Sequence, residues 1–175
     1  MIKTEEVGGT SLEPTGGFSH VDILVASQRF MTTIAGVKDL EGANVATTLE
    51  ELAEISEDHV FEAGNGFTKF TAVQDKSGLE SAMIGDGKMF ENKLSIFVKG
   101  SDAKTLGGIR QFKSERALVV LAREAGSGNY RQLGHAFYPC TISEASPKVA
   151  PEYEGENGTI LVFMDKNKVA APIYK

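Results

Sequence analysis

The stretch from Gly85 to Ser143 constrains the fold most strongly, because it places long strand patterns on both sides of one short helical pattern. Up to Lys99 it alternates apolar and polar residues with the period of two that indicates a strand. Ser101 or Asp102 then precedes a run with apolar residues at every third position, as expected after a helix N-cap. Two further strand patterns follow, joined by AGSGN, a connection typical of a hairpin. We therefore expect these strands to form the central sheet of the fold, with the helix packed across it.

Strand patterns separated by turn residues also occupy most of the remaining chain. We expect about nine or ten strands with turns roughly every 8–12 residues, which is typical of an all-β protein. Residues 1–175 are predicted to form one mainly β domain: an antiparallel β-sandwich or barrel with one short helix packed against it and a projecting acidic loop. Beyond the central stretch, the predicted strands are Phe18–Gln28, Arg29–Ile34, two within His59–Asp75, Leu79–Ile84, and a final hairpin of Gly158–Asp165 with Val169–Tyr174, preceded by a loop over Ala145–Glu156.

Two segments depart from the strand pattern. Residues 1–16 are rich in glycine and polar residues, and they predict a flexible arm, which is a candidate assembly element because such arms can order on a neighbour. Residues 36–58, hereafter the acidic loop, carry seven acidic residues against one lysine. Within the loop, Thr48 and Glu51 fit a capping box, and a short helix would align the apolar residues that follow it. That helix would pack either on its own domain or, as part of the loop, on the next subunit. The apolar residues at this spacing are Leu49, Leu52 and Ile55.

Charge and composition exclude several classes of protein. The net charge of −6 argues against general nucleic-acid binding, which requires a basic face. The single cysteine, Cys140, excludes an intrachain disulfide and a cysteine-based zinc site. The longest apolar runs fall far short of the ~20 residues that cross a bilayer, and the first residues do not form a secretory signal. We therefore expect a soluble chain made in a cytoplasm.

No pattern in the sequence predicts catalysis, so we assign no catalytic, cofactor or metal residue and expect no enzymatic activity. The histidines His20, His59 and His135 are far apart and lack metal-ligand spacing, which favours surface or half-buried positions. Cys140 is expected to fill the core rather than to act as a nucleophile. The glycines from Gly126 onward precede a strand rather than a helix, so they indicate a hairpin turn rather than a dinucleotide site.

Basic residues near the predicted hairpin are expected to form ion pairs. Arg123 and Arg131 lie on elements that also carry Glu115 and Glu124, and pairing with these acids is the simpler interpretation. If subunits form rings, the same charges would instead pair across a subunit boundary.

The order of these segments resembles that of phage tail tube proteins and the related Hcp-like group. The shared features are an arm, a β-rich body, a long acidic loop, a helix between long strands and a last hairpin ending near Pro172-Ile173-Tyr174. The resemblance implies hexameric rings whose inner sheets join into one continuous barrel and stack through a projecting loop and the termini. It also implies an acidic lumen through which DNA passes as cargo without specific binding.

The resemblance leads to a hypothesis about partners and location. The chain would assemble with itself and with other tail proteins in the virion tail, without a membrane or a cofactor. The alternatives are another ring-forming virion or secretion-system component, such as a connector or decoration protein, or a small β-barrel ligand-binding module or enzyme. The candidate subunit-contact residues are Phe18, Phe30, Ile34, Leu49, Leu52, Ile55, Arg123 and Arg131.

Overall fold

The computed structural model describes residues 18–100, 102–125, 127–149 and 157–175. The predicted arm at 1–16 lies outside these residues. The described part of the chain forms twelve strands and one α-helix. They are β1 (Phe18–Ser27), β2 (Met31–Thr33), β3 (Glu54–Ile55), β4 (Val60–Phe61), β5 (Thr68–Phe70), β6 (Gly78–Ile84), β7 (Met89–Lys99), α1 (Ala103–Phe112), β8 (Leu118–Glu124), β9 (Tyr130–Leu133), β10 (Thr141–Lys148), β11 (Gly158–Asn167) and β12 (Ile173–Tyr174).

Two large sheets form the body of the protein. A six-stranded sheet has the order β3-β12-β9-β8-β1-β5, and a four-stranded sheet has the order β10-β11-β7-β6. All three pairings in the four-stranded sheet are antiparallel, whereas β12 and β3 of the larger sheet are parallel. A small third sheet pairs β2 with β4. The predicted mainly β, sandwich-like fold with one helix is confirmed, and the described strands do not close into a barrel.

The core lies between the two large sheets because alternate residues of each strand point inward. Leu94 and Ile96 of β7 and Phe163 of β11 contribute from the four-stranded sheet, and each is completely buried. Val25 of β1 and Val120 of β8 contribute from the six-stranded sheet. This packing explains the period of two in the sequence, which reflects one face on the core and one face turned away.

Helix α1 carries the chain from one sheet to the other and covers an end of the core. The carboxylate of Asp102 accepts a hydrogen bond of 3.1 Å from the backbone N–H of Thr105, which confirms the predicted cap. Ile109 and Phe112 are buried, and the Phe112 ring packs edge-on against Phe70 with the ring centroids 6.2 Å apart. In the described part of the chain, no helix has the length and hydropathy of a membrane span.

The expectation that the strands of Gly85–Ser143 form one central sheet is wrong. Strands β7 and β10 lie in the four-stranded sheet, whereas β8 and β9 lie in the six-stranded sheet. The first five residues of β8 are all buried, so this strand needs cover on both faces. The sandwich core covers one face. On the other face, Gln132 lies opposite Leu121. Its side chain forms hydrogen bonds with Ala35 and His59, the residues that directly precede and follow the acidic loop.

Predictions near the end of the chain are also wrong. The segment 158–174 does not form a hairpin, because β11 continues to Asn167 while β12 joins β9 and β3 in the other sheet. The predicted loop at 145–156 is partly a strand, since β10 continues through Pro147 to Lys148. β10 is an edge strand, where a proline costs no internal ladder hydrogen bond.

The segment from Arg29 to Asp75 is more broken than predicted. A 3-10 turn at Gln28–Phe30 separates β1 from β2, so Arg29–Ile34 is not one continuous strand. Strands β4 and β5 lie on either side of the glycines at 64–66, as expected. They pair with β2 and β1 respectively rather than with each other.

Candidate assembly surfaces

The four-stranded sheet has two long edges without a ladder partner among the described residues. Strand β6 spans seven residues at one edge, and β10 spans eight at the other. Most of β6 is exposed, and its Met83 keeps 59% of its surface accessible. Open edges of this length offer backbone N–H and C=O groups to another strand.

The outer face of the four-stranded sheet carries both signs of charge. Lys93 and Lys99 alternate with the buried residues of β7, so they point away from the core. Cross-strand neighbours extend this charged surface; for example, Lys166 lies 3.8 Å from Glu91. This outer face therefore carries four lysines and three glutamates, so it is mixed rather than acidic. Its charged residues are Glu80, Glu91, Lys93, Lys99, Glu144, Lys148 and Lys166.

The edges of the six-stranded sheet are shorter. Strand β3 has two residues and β5 has three. A groove of about 670 Å³ lies beside β5, with α1 as its other wall. Its lining combines apolar side chains such as Phe70 and Val98 with positively charged lysines and negatively charged aspartates. No catalytic constellation is evident among these lining residues.

The acidic loop is held near its base by an ion pair, and two leucines beside this pair are exposed. The ammonium of Lys38 lies 2.6 Å from the carboxylate of Glu51, and Thr47 donates to the same carboxylate from its backbone and its hydroxyl. Lys38 and then Thr47 lower the pKa of Glu51 to about 2. Leu40 and Leu49, each two positions from this ion pair, retain 78% and 85% of their accessible surface. Their exposure makes these two leucines candidate contact residues of the loop.

The predicted helix in this loop is only one 3-10 turn, Glu50–Leu52. Thr48 accepts a bond from the N–H of Glu51, as in a capping box, but the Glu51 carboxylate bonds Thr47 instead of returning to Thr48. The prediction that a helix aligns Leu49, Leu52 and Ile55 on one apolar face is wrong as well. Leu49 is exposed, Leu52 is half-buried and Ile55 is buried as part of β3. A helix this short is marginal, and strand pairing of its last residues takes precedence.

The neck of the loop is the place where its two ends meet. The backbone N–H of Ala35 donates to Nδ1 of His59 across 3.1 Å, and Nε2 of His59 lies 3.0 Å from Oε1 of Gln132. The amide nitrogen of Gln132 donates to the carbonyls of Ala35 and Gly134. Both ends of the loop are thereby joined to β9.

A second set of contacts holds the first residues of the loop. The His135 ring lies so close to Gly36 that a Cβ there would come within 2.2 Å of its Nε2 atom. An ion pair between Lys168 and Asp39 ties the same segment to the end of β11. The expectation of surface or half-buried histidines is confirmed for His59 and His135, and the side chain of His20 lies outside the described residues.

The basic residues of the hairpin form ion pairs within the chain. Arg131 lies 2.5 Å from Glu124, which confirms that expected pairing, and also donates to the carbonyl of Ala171. Arg123 pairs at 3.4 Å with Asp22 rather than with an acid of its own hairpin. Glu115 also departs from the expectation, because it pairs with Arg29 at 2.8 Å. These arginines are engaged within the chain, which reduces their availability for contacts between subunits.

The remaining predicted contact residues do not share one element. Phe30 is half-buried beneath the Arg29 guanidinium, 4.6 Å from its ring centroid, and Ile34 is half-buried just after β2. Phe18 begins β1, and its side chain lies outside the described residues. Sequence reasoning missed the β6 and β10 edges. The many polar and small residues of β6, GLESAMI, were the available signal for an edge strand.

A buried polar cluster ties the two sheets together near Cys140. Asp165 of β11 accepts bonds from the backbone N–H of Gly134 at 2.7 Å and from the Asn92 amide at 2.8 Å. Burial raises the pKa of Asp165, although both hydrogen bonds oppose the shift. Cys140 is completely buried, as predicted for a core-filling residue, and its burial raises the pKa of the thiol. In the ranges that the structure describes, no cluster of three His, Cys, Asp or Glu residues could hold a metal.

No protein-family model, curated protein or solved structure matches this chain.

Proposed function

We propose that this chain is a structural, self-assembling subunit of a phage tail tube, in which stacked rings form a channel for DNA. The observation that carries the proposal is the four-stranded sheet with long edges at β6 and β10. The proposal includes the absence of enzymatic activity. The comparisons neither support nor oppose this role, so it rests on the geometry and on the resemblance of the segment order.

The strand directions of this sheet suit a closed ring. Successive strands alternate in direction across β10-β11-β7-β6, so the two edge strands point in opposite directions. If β6 of one subunit lay beside β10 of the next, the new pairing would also be antiparallel. Because each subunit contributes an even number of strands, the alternation would persist around any ring. A repeated contact between two different surfaces closes into a ring when its rotation permits.

The acidic loop supplies a second contact under this proposal. It exposes Leu40 and Leu49 beside a base that is held by the Lys38–Glu51 pair and by the Lys168–Asp39 pair. Exposed leucines beside a firmly held base are suited to docking on a neighbouring ring, because less conformational entropy is lost on binding. Other candidate contacts, such as Phe30 and Ile34, lie outside the four-stranded sheet.

Electron microscopy of the purified protein over a range of concentrations provides the first test. We expect rings and, at high concentration, stacked tubes. A protein that stays monomeric by size-exclusion chromatography at high concentration would contradict the proposal. Rings that never stack, or that bind a preformed capsid, would favour the alternative of another ring-forming virion or secretion-system component.

A cysteine pair tests the proposed strand contact directly. Ala82→Cys on β6 and Ser146→Cys on β10 both lie on the outer face of the sheet. Mild oxidation of the double variant should link subunits into covalent multimers, with Glu80→Cys replacing Ala82→Cys to sample another register. The matched control places one cysteine on α1, at the exposed Leu106, together with Ser146→Cys. Equal cross-linking of the control would show that the linkage arises from random collision.

A further inference from the structure

We propose that His59 is a proton-operated latch on the acidic loop: its neutral ring closes the neck of the loop, and its protonated ring releases it. The inference rests on the hydrogen bonds at the neck and applies to the single chain. It goes beyond the proposed function and does not depend on ring formation. Its test therefore uses dilute, monomeric protein.

The bonding partners of Gln132 determine the tautomer of His59. Both hydrogens of the Gln132 amide are used, since its nitrogen donates to the Ala35 carbonyl at 3.1 Å and to the Gly134 carbonyl at 3.0 Å. Its oxygen therefore faces His59 and must accept a hydrogen bond from a protonated Nε2, at 3.0 Å. That leaves Nδ1 without a proton, and its lone pair accepts the N–H of Ala35.

A second proton on the ring is incompatible with this arrangement. It would bind at Nδ1 and convert that atom from an acceptor into a donor. Two N–H groups would then face each other across the present 3.1 Å contact. Ala35 is 2% exposed, so its N–H has little access to water as a replacement partner. The loss of a buried hydrogen-bond acceptor therefore favours separation of Ala35 from His59.

Aromatic and charged groups surround the ring. Tyr174 of β12 stacks on it with centroids 4.9 Å apart, and Phe67 approaches edge-on at 5.8 Å. The charged or titratable groups acting on it are Asp58, which favours the cation, and His135, which opposes it. The Tyr174 hydroxyl bonds Asp58 at 3.3 Å. His135 in turn is influenced by Lys168, which opposes its cation, and by Asp39, which favours it.

These surroundings set the direction of the pH response. Burial is the main cause that lowers the pKa of His59 from its usual 6.5, and the Gln132 bond and Asp58 only partly oppose it. The neutral ring therefore contributes its full stabilisation above pH 6.5. That stabilisation is lost as the pH falls through the lower pKa of the folded state, because the unfolded chain binds the proton more readily. The neck should open on the acidic side of neutrality.

Nuclear magnetic resonance and hydrogen exchange test the latch. Nitrogen chemical shifts of His59 at neutral pH should show a protonated Nε2 and an unprotonated Nδ1. After correction for intrinsic exchange, protection of the Ala35 amide should fall about fivefold as His59 titrates, which corresponds to the loss of one hydrogen bond. Amides at the base of the loop should follow with the same midpoint. A protonated Nδ1 at neutral pH, or unchanged Ala35 protection through the titration, would overturn the proposal.

Three variants separate His59 from the other titrating groups. His59→Asn keeps an acceptor near the Nδ1 position but cannot titrate, so the pH-dependent loss of Ala35 amide protection should disappear. His135→Gln is the matched control and should retain it. Asp58→Asn removes an exposed charge that favours the cation, so the midpoint should move to lower pH. If His59→Asn does not fold, the shift of the midpoint in Asp58→Asn still tests the proposal. The latch would be contradicted if folded His59→Asn lost Ala35 protection at acidic pH as the native protein does. It would also be contradicted if the midpoint of that loss did not move in Asp58→Asn.

Discussion

Gly107 and Gly108 are neighbours in α1 but have different surroundings. A Cβ at Gly107 would meet nothing within 4 Å, whereas one at Gly108 would lie 3.0 Å from the Phe70 ring. Gly107→Ala should therefore raise the free energy of unfolding by about 1 kcal/mol, the usual helix preference for alanine. Gly108→Ala has the same preference, but crowding against Phe70 should cancel or reverse the gain. Urea denaturation of both variants measures the difference, and equal stabilisation would show that Phe70 moves aside without cost.

Single residues were predictable where the controlling interaction is local. Asp102 caps a helix through a residue three positions away, so the sequence pattern alone limited the cap to Ser101 or Asp102. Cys140 was assigned to the core because it lacked a recognisable partner for catalysis, and it is fully buried. The role of His59 was not predictable. Its partner Gln132 is 73 positions away, and only the folded chain brings the two together.

At the scale of elements, two apolar residues of the acidic loop have different expected roles: Ile55 contributes to stability and Leu49 to contacts between subunits. Leu49 is 85% exposed, whereas Ile55 in β3 is 1% exposed. Leu49→Ser should change the free energy of unfolding by less than about 0.5 kcal/mol, while Ile55→Ser should lower it by about 3 kcal/mol or more. Under the proposed function, Leu49→Ser should still permit rings but shorten the stacked tubes.

Denaturant titration and electron microscopy of the same samples check this pair. The stability measurement is made on dilute protein so that assembly does not contribute. Tubes of normal length from Leu49→Ser would show that Leu49 does not take part in the stacking contact. A large loss of stability in that variant would show that Leu49 packs more firmly than its exposure indicates.

The existence of strands was easier to predict than their partners. The period of two is a local signal, and it correctly placed β1, β6, β7 and the β8–β9 hairpin. Pairing depends on contacts between distant segments, so the sequence predicts a strand that includes β12 but pairs it with β11 instead of placing it between β9 and β3. The β6 and β10 edges were missed for the same reason, because an edge is defined by the neighbours that a strand lacks.

At the scale of the whole molecule, charge decides how a proposed channel would treat DNA. The chain has a net charge of −6, yet the outer face of the four-stranded sheet carries four lysines and three glutamates. If that face lines the lumen, its near balance rather than strong acidity would prevent adhesion. Nonspecific DNA binding requires several phosphate contacts to release counterions, and each nearby glutamate weakens such a contact.

Charge reversal on that face should therefore create DNA binding that the native protein lacks. We expect the native protein to bind a short duplex more weakly than about 10 µM at physiological salt. Changing Glu80, Glu91 and Glu144 to lysine brings the net charge from −6 to 0 and leaves only lysines at the charged positions of the face. The matched control makes the same change at Glu41, Glu50 and Glu57, which are exposed on the acidic loop. Fluorescence anisotropy of assembled samples should show salt-dependent binding by the face variant and weaker binding by the loop variant. Equal binding by the two variants would mean that net charge alone controls adhesion and that DNA does not preferentially contact this face.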